Sequence, residues 1–229
     1  MNFKTSEDNK LIKENRKLTL NQEFFNSVKW TIVKILIYAV ILFGIYGILQ
    51  IDSNQEGKIF KENSLTEWLQ ILFMVFTSIV FYISGKIDKN NLALMKLLIG
   101  LLFIAIIREL DEVLDKFVFD GAWQILALVI LLVLSFLVYK HRKNLAPSIN
   151  KFVKLSSFGI LQSGFLIVMV FSRLFGQKIF WKSVMGASYI RSVKDVAEES
   201  LELLGYGLIF IGSIEFLLFC KNKATQDPS

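Results

Sequence analysis

Residues 97–115 read LLIGLLFIAIIRELDEVLD, an apolar run from Leu97 to Ile107 that is followed directly by five charged residues in eight. Charged side chains are costly inside a bilayer, so the change in composition marks the point where a helix leaves the membrane. A continuous helix places four of these charges on one stripe about 100° wide, namely Arg108, Asp111, Glu112 and Asp115. The stretch therefore predicts a membrane-spanning helix with a charged patch at its boundary.

The composition of the whole chain is that of a multi-pass membrane protein. Hydrophobic residues make up 54% of the 229 residues, and the mean hydropathy is +0.52, well above that of an ordinary soluble domain. The formal net charge is +6, but the basic residues are spread over short loops between apolar runs, which is typical of membrane topology. We therefore expect a lipid bilayer around the chain and no nucleic acid as a partner.

Six apolar stretches have the length of about 20 residues that crosses the hydrocarbon core. They predict an all-α, polytopic membrane helix bundle of about six transmembrane helices, over residues 30–49, 65–83, 92–110, 123–139, 158–174 and 201–220. The predicted organisation is a cytoplasmic tail (1–27), a six-helix transmembrane domain (28–220) and a second cytoplasmic tail (221–229). Mostly polar residues precede the first apolar run, so we expect no cleavable signal peptide.

The distribution of lysine and arginine over the loops predicts the orientation. With a cytoplasmic N-terminus, the inner side receives the basic tail and the residues Lys86, Lys89, Lys140, Arg142, Lys143, Lys151, Lys154, Lys221 and Lys223. The opposite side holds Lys58, Lys61, Lys116, Lys178, Lys182, Arg191 and Lys194, which acids outnumber there. The positive-inside rule then places both termini in the cytoplasm, and we expect a bacterial inner-membrane protein.

With this topology the charged ends of five predicted helices face outward together. The second acidic patch, Glu198-Glu199-Ser200-Leu201-Glu202, opens the last helix, which also contains Glu215. Arg108 and Arg173 are the natural partners of these acids, because a guanidinium group bridges two carboxylates through its fixed donors. The candidate ligand-binding residues are Glu67, Arg108, Asp111, Glu112, Arg173, Glu198, Glu199 and Glu202.

Two interpretations of this patch remain open. In the first, arginine–carboxylate pairs lock the helices together, with Glu67, Glu112 and Glu202 as the acids. In the second, some carboxylates stay free to bind a cation or to handle a proton, because an ion this far into a span is otherwise paired or protonated. Glutamine substitutions separate the two, since they disrupt assembly in the first case and function in the second.

Several chemistries are excluded by the residues that the chain lacks. Its single cysteine, Cys220, allows no internal disulfide, and its single histidine, His141, lies in the basic stretch Lys140–Lys143 on the predicted inner side. These counts argue against zinc hydrolases and serine–histidine catalysis. No nucleotide-binding fingerprint or Gly-x-Gly-Asp motif occurs. A bound metal is therefore expected to be a hard cation, calcium, magnesium or manganese, and not a structural zinc.

Three further features carry expectations about the site. The segment from Gln177 to Ser188 has apolar residues at helical spacing, which predicts an interfacial helix or a lid that caps the outward cavity. Gly159 and Ser163 allow one close helix contact, within the chain, in a homo-oligomer or with a membrane partner protein. A transport path would run by way of Gln162 toward Glu215.

The layout of the charged helix ends resembles that of multi-pass bacterial membrane proteins with no assigned activity. The shared pattern is Glu67-Trp68 opening one helix, Arg108-Glu109-Leu110-Asp111 closing the next, and Glu198-Glu199-x-x-Glu202 opening the last, over residues 62–220. The resemblance implies a membrane bundle and transfers no function.

The leading hypothesis is an integral membrane protein whose carboxylate and arginine site binds or passes a small cation or polar solute. The first alternative is an intramembrane enzyme acting on a lipid or lipid-linked substrate, with Glu199, Glu202, Asp111 and Glu112 in acid–base chemistry. The second is a structural or sensor subunit of a membrane complex. The residues alone do not decide whether the chain is an enzyme.

Overall fold

The computed structural model describes residues 3–54 and 64–226, with side chains for residues 22, 24–54 and 64–225. All regular elements in this part of the chain are helices, which confirms the predicted all-α class. Lys58, Lys61 and Glu62, which the predicted topology places on the outer side, lie outside the described residues.

Four helices of the described chain extend beyond the predicted apolar spans, and the fifth predicted span is divided by a π-turn. In chain order they are α1 (Phe3–Ser53), α2 (Leu65–Ile87), α3 (Leu92–Glu109), α4 (Asp111–Phe117), α5 (Ala122–Phe152), α6 (Ser156–Leu166), α7 (Ser172–Phe175), α8 (Lys178–Met185) and α9 (Arg191–Gln226). A π-turn, Ile167–Phe171, joins α6 to α7, and short 3-10 turns lie at Lys89–Asn91 and Gly186–Ser188.

Six segments of the described chain are long and apolar enough to cross a membrane, as predicted. They are Phe24–Ser53, Leu65–Ile87, Lys89–Glu109, Ala122–Phe152, Ser156–Phe175 and Arg191–Thr225. The fourth and sixth extend furthest beyond the predicted bounds. An α-helix can continue past the hydrocarbon into polar sequence, because its backbone hydrogen bonds do not depend on the surrounding lipid. The six segments are consistent with a multi-pass integral membrane protein.

The chain divides into two compact units, residues 1–44 and 45–229. In the first unit, the described side chains of α1 are mostly exposed, as expected of a helix surrounded by lipid. The second unit contains the end of α1 and all the other helices. Its core is built on α9, which packs against α2 and α6, while α3 packs between α2 and α5. Leu203 and Phe216 of α9 and Met74 of α2 are almost completely buried.

Glycines bring the backbones of α6 and α9 close together. A Cβ atom on Gly164 would lie 2.6 Å from the carbonyl oxygen of Gly205, so neither helix has room for a side chain there. Small residues serve this purpose in membrane helix pairs. The close contact predicted at Gly159 and Ser163 is not formed within the described chain, since Gly159 has no neighbour within 4 Å and Ser163 is exposed.

The prediction of one continuous helix through residues 108–115 is wrong. The chain breaks at Leu110, where φ is −100° and ψ is 16°, between α3 and α4. Asp111 Oδ1 accepts a hydrogen bond from the Glu112 backbone N–H at 2.7 Å, and such side-chain bonds compete with helical ones. Arg108 therefore lies on a different helix from Asp111, Glu112 and Asp115, and Asp115 accepts a hydrogen bond from Gly121 N at 3.0 Å.

Candidate functional site: a cavity of carboxylates and arginines

A cavity of about 380 Å³ opens where α2, α3, α4, α5, α7 and α9 approach one another. Its lining residues are Glu67, Trp68, Ile71, Arg108, Glu109, Leu110, Asp111, Glu112, Val113, Trp123, Arg173, Glu198, Glu199 and Glu202. All eight candidate residues from the sequence are among them, although they come from five separate helices. The structure thus brings the two acidic patches and both arginines to one place.

Glu202 lies between the two arginines of the cavity. Its side chain is only 3% exposed, and its Oε2 lies 3.4 Å from Arg108 Nη2 of α3. Its other oxygen, Oε1, is hydrogen-bonded by Arg173 Nη2 of α7. One buried carboxylate therefore joins three helices, as the predicted arginine–carboxylate network requires of this residue.

Arg108 has a second acidic partner that the sequence analysis did not select. Its Nη2 donates to Glu109 Oε1, and the same oxygen accepts a hydrogen bond from Tyr206 Oη at 3.1 Å. Glu109 was passed over because a continuous helix would turn it away from Arg108, Asp111 and Glu112. Tyr206 lies one turn beyond Glu202 on α9, and this spacing was the available signal.

Arg173 also binds two carboxylates. Its Nη1 donates to Glu198 Oε1 at 3.0 Å, and Lys194 Nζ bonds the other oxygen of Glu198 at 2.9 Å from one turn earlier on α9. Gly176 follows α7, and a Cβ atom there would lie 2.5 Å from Glu198 Cδ. The absence of a side chain at Gly176 therefore gives the Glu198 carboxylate its place beside Arg173.

Glu199 has a neutral partner. Gln70 Nε2 of α2 donates to Glu199 Oε2 at 2.9 Å, and the Gln70 side chain is fully buried. Within residues 3–54 and 64–226, Glu199 forms no ion pair. Gln70 was missed, although polar residues at helical spacing along α2, among them Thr66 and Thr77, mark a buried polar face.

The start of α2 is fixed by two caps, which set the position of Glu67. Ser64 Oγ accepts a hydrogen bond from Glu67 N at 3.2 Å, an N-cap contact. Asp52, at the end of α1, accepts bonds from Thr66 N at 2.8 Å and from Thr66 Oγ1 at 2.5 Å. Asp52 is 2% exposed, and its other oxygen accepts a hydrogen bond from Leu65 N at 3.3 Å, so its carboxyl group caps the start of the helix.

Two tryptophans contribute to the lining beside the charged groups. Trp68 lies in the first turn of α2 and is 53% exposed, and Trp123 lies in the first turn of α5. The sequence placed Trp123 only at the start of the fourth predicted span and did not connect it with the site. Both indoles lie at the beginning of an apolar span. Because both line the cavity, its surface is aromatic as well as charged.

The predicted cap over the cavity is wrong for the segment from Gln177 to Ser188, since none of its residues lines the cavity. The segment does form the predicted short helix, α8. Trp181 Nε1 donates to the carbonyl oxygen of Phe175 at 2.5 Å, and the rings of Phe180 and Trp181 pack on Phe175. These contacts fold α8 back onto the end of α7.

The predicted path through the bundle receives no support from the cavity lining. Gln162 is exposed on α6, Glu215 is half-buried on α9, and neither lines the cavity. Among the described residues, no group of three or more histidine, cysteine, aspartate or glutamate side chains stands close enough together to hold a metal ion. The carboxylates instead surround an open space.

A second, smaller polar cluster lies further along α9. Lys223 Nζ is 2.6 Å from Asp88 Oδ2, which also accepts a hydrogen bond from Asn91 Nδ2 at 3.1 Å. At a rise of about 1.5 Å per residue, Lys223 is roughly 30 Å along α9 from Glu202, the thickness of a hydrocarbon core. The two clusters therefore mark opposite ends of the spanning part of α9.

Comparisons with known families, curated proteins and solved structures find no match to this chain. The description of the site therefore rests on the geometry of the described residues.

Proposed function

We propose that the cavity binds or passes a small cation or polar solute on the outward side of a bacterial inner membrane. One observation carries this proposal. Seven carboxylates line the cavity (Glu67, Glu109, Asp111, Glu112, Glu198, Glu199 and Glu202) against two guanidinium groups (Arg108 and Arg173). A cleft lined mainly by one sign of charge concentrates ions of the opposite sign, so cations are favoured there.

The distribution of partners supports binding over a purely structural network. The arginines are engaged by Glu109, Glu198 and Glu202. Asp111 and Glu199 also line the cavity, and neither forms an ion pair within the described part of the chain. Acidic groups thus remain in the lining after both arginines have their partners, as a cation site requires.

The placement of basic residues supports the proposed orientation, with both termini in the cytoplasm. Lys86, Lys89, Lys221 and Lys223 lie at the end of α2 and α9 that is distant from the cavity. Lysines concentrate on the cytoplasmic side of membrane proteins, which leaves the cavity on the outer side.

A thermal-stability scan of the purified chain against sodium, calcium, magnesium, manganese and tetramethylammonium tests the proposal. Saturation at ~100 times the dissociation constant stabilises a protein by roughly 2.7 kcal/mol, and we expect such a rise for at least one cation. The rise should shrink in Glu199→Gln and persist in Asp120→Asn, because Asp120 is an exposed acid outside the cavity lining. Equal responses in both variants would contradict the proposal.

An intramembrane enzyme remains the second candidate function, because Glu199 and Glu202 lie in unlike surroundings one turn apart. Glu199 faces a neutral amide, whereas Glu202 lies between two guanidinium groups. Paired carboxylates in unlike environments are the arrangement used for general acid and base roles. Turnover of a lipid or lipid-linked substrate that is lost in both Glu199→Gln and Glu202→Gln, with the bundle intact, would favour this candidate.

A further inference from the structure

We infer that the occupant of the cavity is an organic ammonium ion and not a bare metal ion, an inference that rests on the proposed function and narrows it. Organic ammonium ions combine a positive charge with methyl or methylene groups. They therefore match a cavity with both anionic and aromatic walls. Three features of the site point to this class.

The first feature is the size of the cavity. A metal site closes around its ion with ligand oxygens at about 2.0 to 2.6 Å, which leaves little empty space. This cavity has about 380 Å³, and the described residues hold no cluster of three metal-ligating side chains. Since one water occupies about 30 Å³ in the liquid, the cavity has room for roughly a dozen waters or for a small organic ion.

The second feature is the pair of indoles in the lining. Trp68 and Trp123 come from different helices, and the faces of tryptophan rings attract ammonium groups more strongly than those of other aromatic side chains. Metal ions in proteins take oxygen, nitrogen or sulfur ligands, so the tryptophans have no role in a metal site. Their position among seven carboxylates favours a cation with an apolar surface.

The third feature is the placement of the two cavity acids that form no ion pair within the described residues. Asp111 is exposed at the start of α4, and Glu199 is half-buried and fixed by Gln70. The two acids lie on different helices around the same space, so an ion with several C–H and N–H groups can contact both. Carboxylates that stand apart in this way suit a bulky cation better than a compact one.

The test uses tetramethylammonium chloride as the probe, with the chain in a maltoside detergent whose head group carries no charge. Thermal stability and calorimetric titration are compared with those in sodium and magnesium chloride. We expect saturable stabilisation by tetramethylammonium. Trp123→Leu should weaken its binding by about two- to thirty-fold, the range of a cation–π contact, with Trp123→Phe in between. Trp30→Leu, an exposed indole in the other unit of the chain, is the matched control and should bind as the wild type does.

The outcomes separate this inference from the proposed function. Stabilisation by sodium or magnesium alone, lost in Asp111→Asn, would leave the cation site standing and overturn the ammonium inference. Tetramethylammonium binding that is unchanged in both Trp123→Leu and Trp68→Leu would also overturn it. Trp68→Leu serves if Trp123→Leu fails to fold, since Trp68 is half-exposed. No response to any cation would contradict both proposals.

The ammonium group has two sources, a free amine or the head group of a membrane lipid. Nanodiscs of phosphatidylglycerol, with and without added phosphatidylethanolamine, distinguish them. A lower apparent affinity for tetramethylammonium in the presence of phosphatidylethanolamine identifies the head group as a competitor. An unchanged affinity identifies a free amine as the occupant. Both results require the wild-type binding that the inference predicts.

Discussion

Arg108 Nη2 of α3 lies 3.4 Å from Glu202 Oε2 of α9, a contact between residues 94 positions apart in sequence. Glu202 is almost completely buried, while the Arg108 side chain is 30% exposed. The carboxylate therefore depends on this arginine and on Arg173 for its solvation. Each arginine in turn has a second acidic partner, Glu109 for Arg108 and Glu198 for Arg173. Loss of Glu202 therefore affects two arginines, whereas loss of another acid affects one.

This asymmetry predicts the effects of removing single charges. Glu202→Gln should destabilise the bundle by about 1 to 3 kcal/mol, because the amide carries no charge and offers two guanidinium groups one acceptor oxygen in place of two. Glu198→Gln should cost less, because Arg173 keeps Glu202 as a partner. The melting temperatures of the purified variants measure the difference. An equal loss in the two variants would show that Glu202 is not the centre of the network.

The glycine contact between α6 and α9 predicts a second pair of variants. Gly164→Ala should lower stability by about 1 to 3 kcal/mol, because its Cβ would meet the Gly205 carbonyl oxygen at 2.6 Å and Ile209 N at 2.9 Å. Backbone atoms cannot move aside as side chains can. In Gly159→Ala, on the same helix, the added Cβ atom would have no neighbour within 4 Å. The stability of this variant should equal that of the wild type or exceed it by up to about 1 kcal/mol. Thermal unfolding in detergent should separate them, and a larger loss for Gly159→Ala would contradict the described packing.

Buried polar residues of α2 should respond according to their partners. Gln70→Leu removes the donor to Glu199 and should destabilise by about 1 to 2 kcal/mol. Thr77→Val removes a buried hydroxyl that has no hydrogen-bond partner within the described residues, so it should be neutral or stabilising. Stability measured on both variants checks the prediction. A destabilised Thr77→Val would indicate a partner for this hydroxyl.

The proposed orientation predicts the labelling of introduced cysteines. Asp120 and Asn144 are exposed, and they are separated by most of α5, or roughly 36 Å of helix. In a Cys220→Ala background, Asp120→Cys should react with a membrane-impermeant maleimide in intact cells. Asn144→Cys should react only after lysis. The reverse pattern would place the cavity on the cytoplasmic side.

Hydropathy and charge position predicted the spans and the candidate site because both depend on local composition. Apolar stretches of about 20 residues have few alternatives to spanning a membrane, and charges at their ends must meet at the same boundary. All eight candidate residues consequently line one cavity. Glu109, Gln70 and Tyr206 were missed because they depend on which helix faces which.

Two predictions were wrong, the continuous helix through residues 108–115 and the cap over the cavity. Both depend on local hydrogen bonds that hydrophobic periodicity does not predict. The helix breaks at Leu110, next to the bond of Asp111 to the following amide, and Asp115 bonds Gly121 N and does not line the cavity. The position of α8 follows from the bond between Trp181 and the carbonyl of Phe175. Hydrophobic patterns identify faces of helices, whereas bonds of this kind decide where a helix stops or folds back.

The most direct test of the cation site compares the wild type, Asp111→Asn and Asp120→Asn in thermal unfolding. Each protein is measured with and without a saturating concentration of the cation that stabilises the wild type most, among sodium, calcium, magnesium, manganese and tetramethylammonium. Both substitutions remove one exposed acid, and only Asp111 lines the cavity. We predict a cation-dependent gain of roughly 2.7 kcal/mol at ~100 times the dissociation constant in the wild type and in Asp120→Asn. The gain should be clearly smaller in Asp111→Asn at the same concentration. The same gain in all three proteins, or no gain in the wild type, would contradict the account.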